Sequence, residues 1–221
     1  MKIALLGSTG YVGTELLKRC LEQQHQVKVL VRNSQKLGDL SKSVEVVEGD
    51  YFDKDKVAQA ISGCKVVIST IGPSTKKPEN VEVYKKLMAG GMANLVSAME
   101  NEKVKKFILI GGAATPVRDN EAFNARQKFI KFLLNLTSKY IISIKTMEAS
   151  ILAKFSFDWI IVRPPVISKG SPTGNVMSDE RILYGMKIDI EDLIDFILNQ
   201  ITSDVWLHKA PLVCSMKKQP S

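Results

Sequence analysis

The chain has little that would make it a metal protein, a disulfide scaffold or a membrane span. Among 221 residues it has three cysteines, Cys20, Cys64 and Cys214, with no CxxC pair, so they read as reduced, partly buried thiols. The two histidines, His25 and His208, have no second ligand close in sequence, and no metal is expected. The longest apolar runs, such as Phe107–Ile110 and Trp159–Val162, are strand-sized and far too short to cross a bilayer, so no membrane partner is expected. The opening MKIALLGSTG enters a glycine turn after four apolar residues, which suits a first buried strand better than an export signal. A cytoplasmic protein is therefore expected. The net charge of +8 is spread over scattered lysines, among them Lys103, Lys105 and Lys106 before one strand and Lys217 and Lys218 on the tail. No basic stripe interleaved with aromatics occurs, so a solvated surface is expected and a nucleic-acid partner is not.

What is present is an alternation of short β-branched runs with helical periodicity. Strands are expected at 3–6, 27–31, 44–47, 66–69, 107–110 and 157–162, with a last one at 206–214. Helices are expected at 11–24, 53–61, 80–100, 121–136, 139–154 and 190–201, and a Gly/Ser/Pro loop at 168–178. This order implies a single doubly wound α/β domain over residues 1–221, with a mostly parallel sheet and helices on both faces. A small substrate-side portion follows from about residue 164, and the last strand and helix are expected to complete the same sheet. In such sheets ligands lie beyond the carboxyl ends of the strands.

The first strand runs into Gly7-Ser8-Thr9-Gly10-Tyr11-Val12-Gly13. Gly7 permits a tight turn, Gly10 lets backbone approach a pyrophosphate, and Gly13 lets the helix pack on the sheet. The helix then opens its N–H groups toward the phosphates. Between a buried strand and an amphipathic helix, this is a Rossmann-type dinucleotide turn.

The second strand ends in Val31-Arg32-Asn33-Ser34, where NAD binders usually place an acid for the ribose. Arg32 can hold a 2′-phosphate instead, with Ser34 adding a hydroxyl, so NADP(H) is favoured over NAD(H). The alternative is a solvated surface arginine. Asp50, before Tyr51 at the end of the third strand, either accepts from the adenine amino group or caps a turn. Thr70, Ile71 and Gly72 after the fourth strand, Gly111 and Gly112 after the fifth, and Pro164 after the sixth would flank the ribose and nicotinamide.

GSTGYVG, the strand-terminal VR, the GD after the third strand, TIGP, ILIGGAA and FDWIIVRPP together resemble the atypical short-chain dehydrogenase/reductase superfamily. The resemblance is to its NAD(P)H-binding branch, which holds NmrA-like and flavin reductase/biliverdin reductase B-like proteins. Members of the larger superfamily carry a Ser after the fifth strand and a Tyr-x-x-x-Lys pair on the next helix. Here Gly111-Gly112-Ala113 stands after the strand, with Thr115 the nearest hydroxyl. Tyr140 is followed by Lys145 after five residues, a rotation of about 140° instead of about 40°, so Lys145 should point away from it. Tyr140 is thus either a proton donor or a core or helix-surface tyrosine, and Lys145 either its partner or an i, i+3 pair with Glu148.

The resemblance implies a small NADPH-dependent reductase, passing hydride to a flavin-like or other conjugated or carbonyl acceptor, with the protein supplying orientation. Loops 73–79, 112–120 and 166–178 would wall the acceptor, and Lys76, Lys77, Arg118 and Lys169 would favour an anion. The alternative is an NmrA-like NADP(H) sensor acting through a regulatory protein partner without turnover. A sugar-nucleotide epimerase or dehydratase fits less well, because it needs the intact tyrosine–lysine pair.

Overall fold

A computed structural model describes residues 1–73, 76–118 and 121–216. The strands are β1 Lys2–Leu6, β2 Gln26–Val31, β3 Glu45–Glu48, β4 Val66–Ser69, β5 Lys106–Ile110, β6 Asp158–Val162, β7 Val166–Ser168, β8 Val176–Asp179, β9 Lys187–Asp189 and β10 Leu212–Ser215. The α-helices are α1 Tyr11–Glu22, α2 Lys54–Ile61, α3 Val81–Asn101, α4 Ala125–Thr137, α5 Lys139–Leu152 and α6 Ile190–Asn199.

The first six strands form one sheet in the order β3-β2-β1-β4-β5-β6, every pair parallel. The order reverses between β1 and β4, and that switch point is where a doubly wound sheet opens a crevice. Strand β1 shows why the sheet needs two covered faces. Ile3 and Leu5 pack in a core with Leu16, Leu17 and Ile194, while Ala4 and Leu6 pack with Val57, Met92 and Leu95. Alternate side chains go to opposite faces, so a run buried on both sides must be apolar throughout. Each of the larger side chains taken out of water contributes about 1.5–3 kcal/mol.

Some local features are not expected from the sequence, and others correct an expectation. Residues 34–43, between β2 and β3, form a kinked 3₁₀ segment, started by the Asn33 side chain accepting from the Gln35 N–H. Helix α4 begins at Ala125, not Glu121, because Asn124 and Gln127 close a reciprocal capping box there. Glu121 is recruited elsewhere: its carboxylate accepts from Arg163 (2.5 Å) and from the Val117 N–H (2.8 Å).

The segment read as a loop at 168–178 is bounded by strands. β7 pairs in parallel with β9, and β8 pairs antiparallel with β10. Their partners lie far along the chain, so no local pattern announces them. The last strand also does not complete the main sheet: only Leu212–Ser215 is regular, and it pairs with β8. It meets β6 through isolated bridges at Ile160–Lys209 and Arg163–Leu212.

Asp192, on the first turn of α6, ties this C-terminal portion together. Its carboxylate accepts from the N–H groups of Thr173 and Gly174, from the Thr173 hydroxyl at 2.8 Å and from the Ser215 hydroxyl at 2.5 Å. Burial alone would raise its pKa, but these hydrogen bonds outweigh it and hold the carboxyl below the usual range.

Candidate functional site

The turn after β1 is built by close backbone approach. Gly7 has φ +87°, and a Cβ there would meet the Thr70 hydroxyl at 2.6 Å. A Cβ on Gly13 would lie 2.0 Å from the Gly7 carbonyl oxygen. Gly10 differs: only the Gly7 oxygen, at 3.3 Å, comes near its Cβ position, and the rest of that side is open. Thr70 serves the turn from below, its hydroxyl donating to the carbonyls of Leu6 and Gly7. Val12 is packed against the core, and Tyr11 is exposed.

This turn has the features of a phosphate cradle. Helix α1 starts at Gly10 with no side-chain cap and no acidic residue in its first turn, so its positive end is uncompensated. The Ser8 hydroxyl is buried without a hydrogen-bond partner among the described residues. A nicotinamide dinucleotide fits both observations: its pyrophosphate would take up the uncapped N–H groups and the open side of Gly10.

Beyond β1, β2, β3 and β4 lies a cavity of about 530 Å³ lined by Gly7, Thr9, Arg32, Asp50, Tyr51, Ile71 and Gly72, all expected from the sequence. Leu30, Val31, Gly49, Phe52, Tyr84 and Met88 line it too, and the sequence reading placed none of these. Tyr84 and Met88 stand four residues apart on α3, a spacing that marks one helix face but not what that face meets.

Arg32 is exposed at the end of β2 and makes no hydrogen bond or ion pair among the described residues. Asp50 lines the cavity while also closing its own turn, one carboxylate oxygen accepting from the Phe52 N–H at 3.0 Å. Tyr51 is buried edge-on to Phe52, and burial, with the Glu148 carboxylate adding to it, pushes its phenol far up. Ser34 is half-buried at the start of the 3₁₀ segment and does not line the cavity.

Beyond β5 the chain turns at 111–113 and is held there by main-chain hydrogen bonds. Gly111 donates to the Val162 carbonyl and Ala113 to that of Pro164, which stitches the 111–113 turn to the end of β6. Gly112 accepts from the Thr115 N–H at 2.9 Å. Thr115 is buried, and its carbonyl accepts from the fully buried Arg163.

Tyr140 and Lys145 have different partners but both pack at Ile71. Tyr140 is buried among Met88 and Ile144, with Ile71 and Tyr84 beside it. Lys145 runs under the strand ends, donating to the carbonyls of Ile71 (3.0 Å) and Ile110 (3.1 Å) and pairing with the buried Glu148 at 2.9 Å. The sequence named the Glu148 pair as an alternative but not the two carbonyls.

The expected acceptor walls are only partly described. Residues 74, 75, 119 and 120 lie outside the described residues, as do Lys217 and Lys218. Lys76, Lys77 and Lys169 are exposed, and Arg118 is ion-paired to Glu180 at 2.6 Å. Arg118 also borders a second cavity of about 310 Å³ with Val117, Glu121, Arg163 and Arg181.

A family model described as NAD(P)H-binding matches residues 7–204. The photosystem II assembly factor Ycf39 of Cyanophora paradoxa is 29% identical over 109 residues, 49% of this chain and 33% of that protein. The chain thus matches only a third of that relative's length. Among solved structures, the oxidoreductase YlbE of Lactococcus lactis superposes with a TM-score of 0.78 at 22% identity, covering 98% of this chain and 92% of that one. ChuY of Escherichia coli O157:H7, described as an anaerobilin reductase, gives 0.78 at 18% identity with full coverage of both chains. These two likenesses show the fold. The chain belongs to the NAD(P)H-binding family.

Proposed function

With membership of the NAD(P)H-binding family as premise, we propose that this protein is a small NADPH-dependent reductase for a flavin-like or otherwise conjugated or carbonyl acceptor. The observation that carries the reading is the cavity beyond β1–β4. Gly7, Thr9 and Gly72 line it, and an unpaired Arg32 stands at the end of β2 where a ribose acid would select NAD. The turn from Gly7 to Gly13 would hold the pyrophosphate, Arg32 the 2′-phosphate, and Tyr51 and Phe52 the wall of the adenine half. The bound dinucleotide supplies hydride at the nicotinamide end.

The chain's own part in the reaction is orientation and exclusion of water. In this reading the turn at Gly111 and Gly112, which carry no side chains, would leave room for the ring and its acceptor. Lys145 is spent on Glu148 and two carbonyls, and Tyr140 packs with Ile71, Tyr84 and Met88; this reading assigns the proton to neither. A conjugated acceptor tolerates this, because its proton can come from water.

The same locked lysine favours one other reading, an NADP(H)-binding sensor that acts through a protein partner. One assay separates the two: NADPH oxidation by the purified chain with a panel of flavins, quinones and aldehydes. Turnover that survives Tyr140→Phe within about tenfold supports the reductase, since general acids contribute roughly 10²–10⁴-fold. Tight binding with no turnover supports the sensor. Neither binding nor turnover overturns both.

A further inference from the structure

Helix α4 has two faces. Gln127, Ile130 and Leu134 turn inward, and the Gln127 amide donates to the Ala113 carbonyl at 3.2 Å. On the other side Phe129, Phe132, Leu133 and Leu136 are 53%, 58%, 45% and 69% exposed. At about 100° per residue these four fall within an arc of roughly 100°. Arg126 lies about 20° beyond one edge of that arc and Lys128 about 40° beyond the other, with Lys131 further round. Between Glu121 and Glu148 there is no acidic residue, and Lys139 opens the next helix.

Scattered exposed apolar residues are ordinary, but four along one helix face form a patch. We propose that this face docks on a membrane surface of anionic lipid. Phenyl and leucyl side chains would enter the boundary between headgroups and acyl chains, and the flanking cations would lie at the phosphates. The helix is already formed and capped, so docking costs no folding entropy. The short apolar runs that argue against a membrane in the sequence exclude only a span; no described helix is long and apolar enough to cross one. A helix lying in the interface has no such length requirement.

Charge decides against a second copy as the occupant. Two copies of this face would oppose rows of like charge with no acid on the helix to receive them. Area argues the same way: four half-exposed side chains present roughly 400 Å², about half of what one partner contributes to a stable interface.

The inference is independent of the proposed reaction, because none of these residues lines the dinucleotide cavity. The test is co-sedimentation of the full chain with vesicles of phosphatidylglycerol and phosphatidylcholine, and with vesicles of phosphatidylcholine alone. The expected result is capture by the anionic vesicles only, weakened several-fold by raising salt. Phe132→Ser with Leu136→Ser should lower partitioning at least tenfold, and Lys128→Glu about fivefold or more, with unchanged nicotinamide affinity. Equal capture of parent and both variants, or no capture of the parent, overturns the proposal. So does a parent dimer in sedimentation velocity that the Phe132→Ser, Leu136→Ser variant converts to monomer, which would assign the face to a second copy.

Discussion

The space a Cβ would occupy on Gly13 is filled by the carbonyl oxygen of Gly7, 2.0 Å away. Helix α1 therefore packs on the turn it grows from, and the two glycines are one structural unit. Gly10, at φ −85° and ψ 172°, sits in extended backbone that a branched residue can adopt.

Two substitutions should separate packing from ligand. Gly13→Ala should cost about 3 kcal/mol or more, because the main chain of the turn must shift, and should lower the Tm by several degrees or more. Gly10→Val should leave a folded chain, with a Tm lowered by only a few degrees for the poorer N-cap, and abolish dinucleotide binding. Thermal unfolding and cofactor titration read both. Unchanged affinity in Gly10→Val would place the pyrophosphate elsewhere.

Arg32 should set cofactor choice. A charge-assisted bond to a 2′-phosphate is worth about 1.5–3 kcal/mol, roughly ten- to a hundredfold in affinity. Arg32→Glu should weaken NADPH by at least tenfold and shift preference toward NADH. In the parent the NADPH preference should shrink with salt, because the residue is exposed. Dissociation constants for both cofactors at low and high salt decide it. A parent that binds NADH equally well would make Arg32 a surface arginine.

The Lys145–Glu148 pair should be structural. Lys145→Met leaves a buried carboxylate unpaired and should cost about 3–5 kcal/mol. Adding Glu148→Met should recover part of that loss, though the carbonyls of Ile71 and Ile110 still lose their donor. A double-mutant cycle in urea measures the coupling, and strict additivity would show that the two side chains do not support each other.

Asp192 predicts an acid limit on the C-terminal portion. Its folded pKa is depressed, so its contribution is complete above the unfolded carboxylate value and is lost as pH falls through the folded one. At neutral pH Asp192→Asn should cost about 1–3 kcal/mol, because one oxygen acceptor becomes a donor facing the Thr173 and Ser215 hydroxyls. The gap between parent and variant should close as the pH is lowered below the ordinary carboxylate range. A gap independent of pH would assign the effect to packing alone.

The sequence by itself determined the frame. A run such as Ile3–Leu6 can only be a strand covered on both faces, and the glycine spacing from Gly7 to Gly13 admits one kind of turn, because both follow from local chain geometry. It also fixed Arg32 after β2 and the five-residue step from Tyr140 to Lys145. Tertiary structure decided what depended on partners distant in the chain. β7 and β8 are strands only because β9 and β10 come to lie beside them. Glu121 left its expected helix because Arg163, buried at the end of β6, needed a carboxylate. Lys145 found the carbonyls of Ile71 and Ile110, and Tyr84 and Met88 came to line a cavity made by strands encoded before them. Hydrogen-bond and burial demands of this kind are met across the fold, and no window of neighbouring residues contains both halves of the bargain.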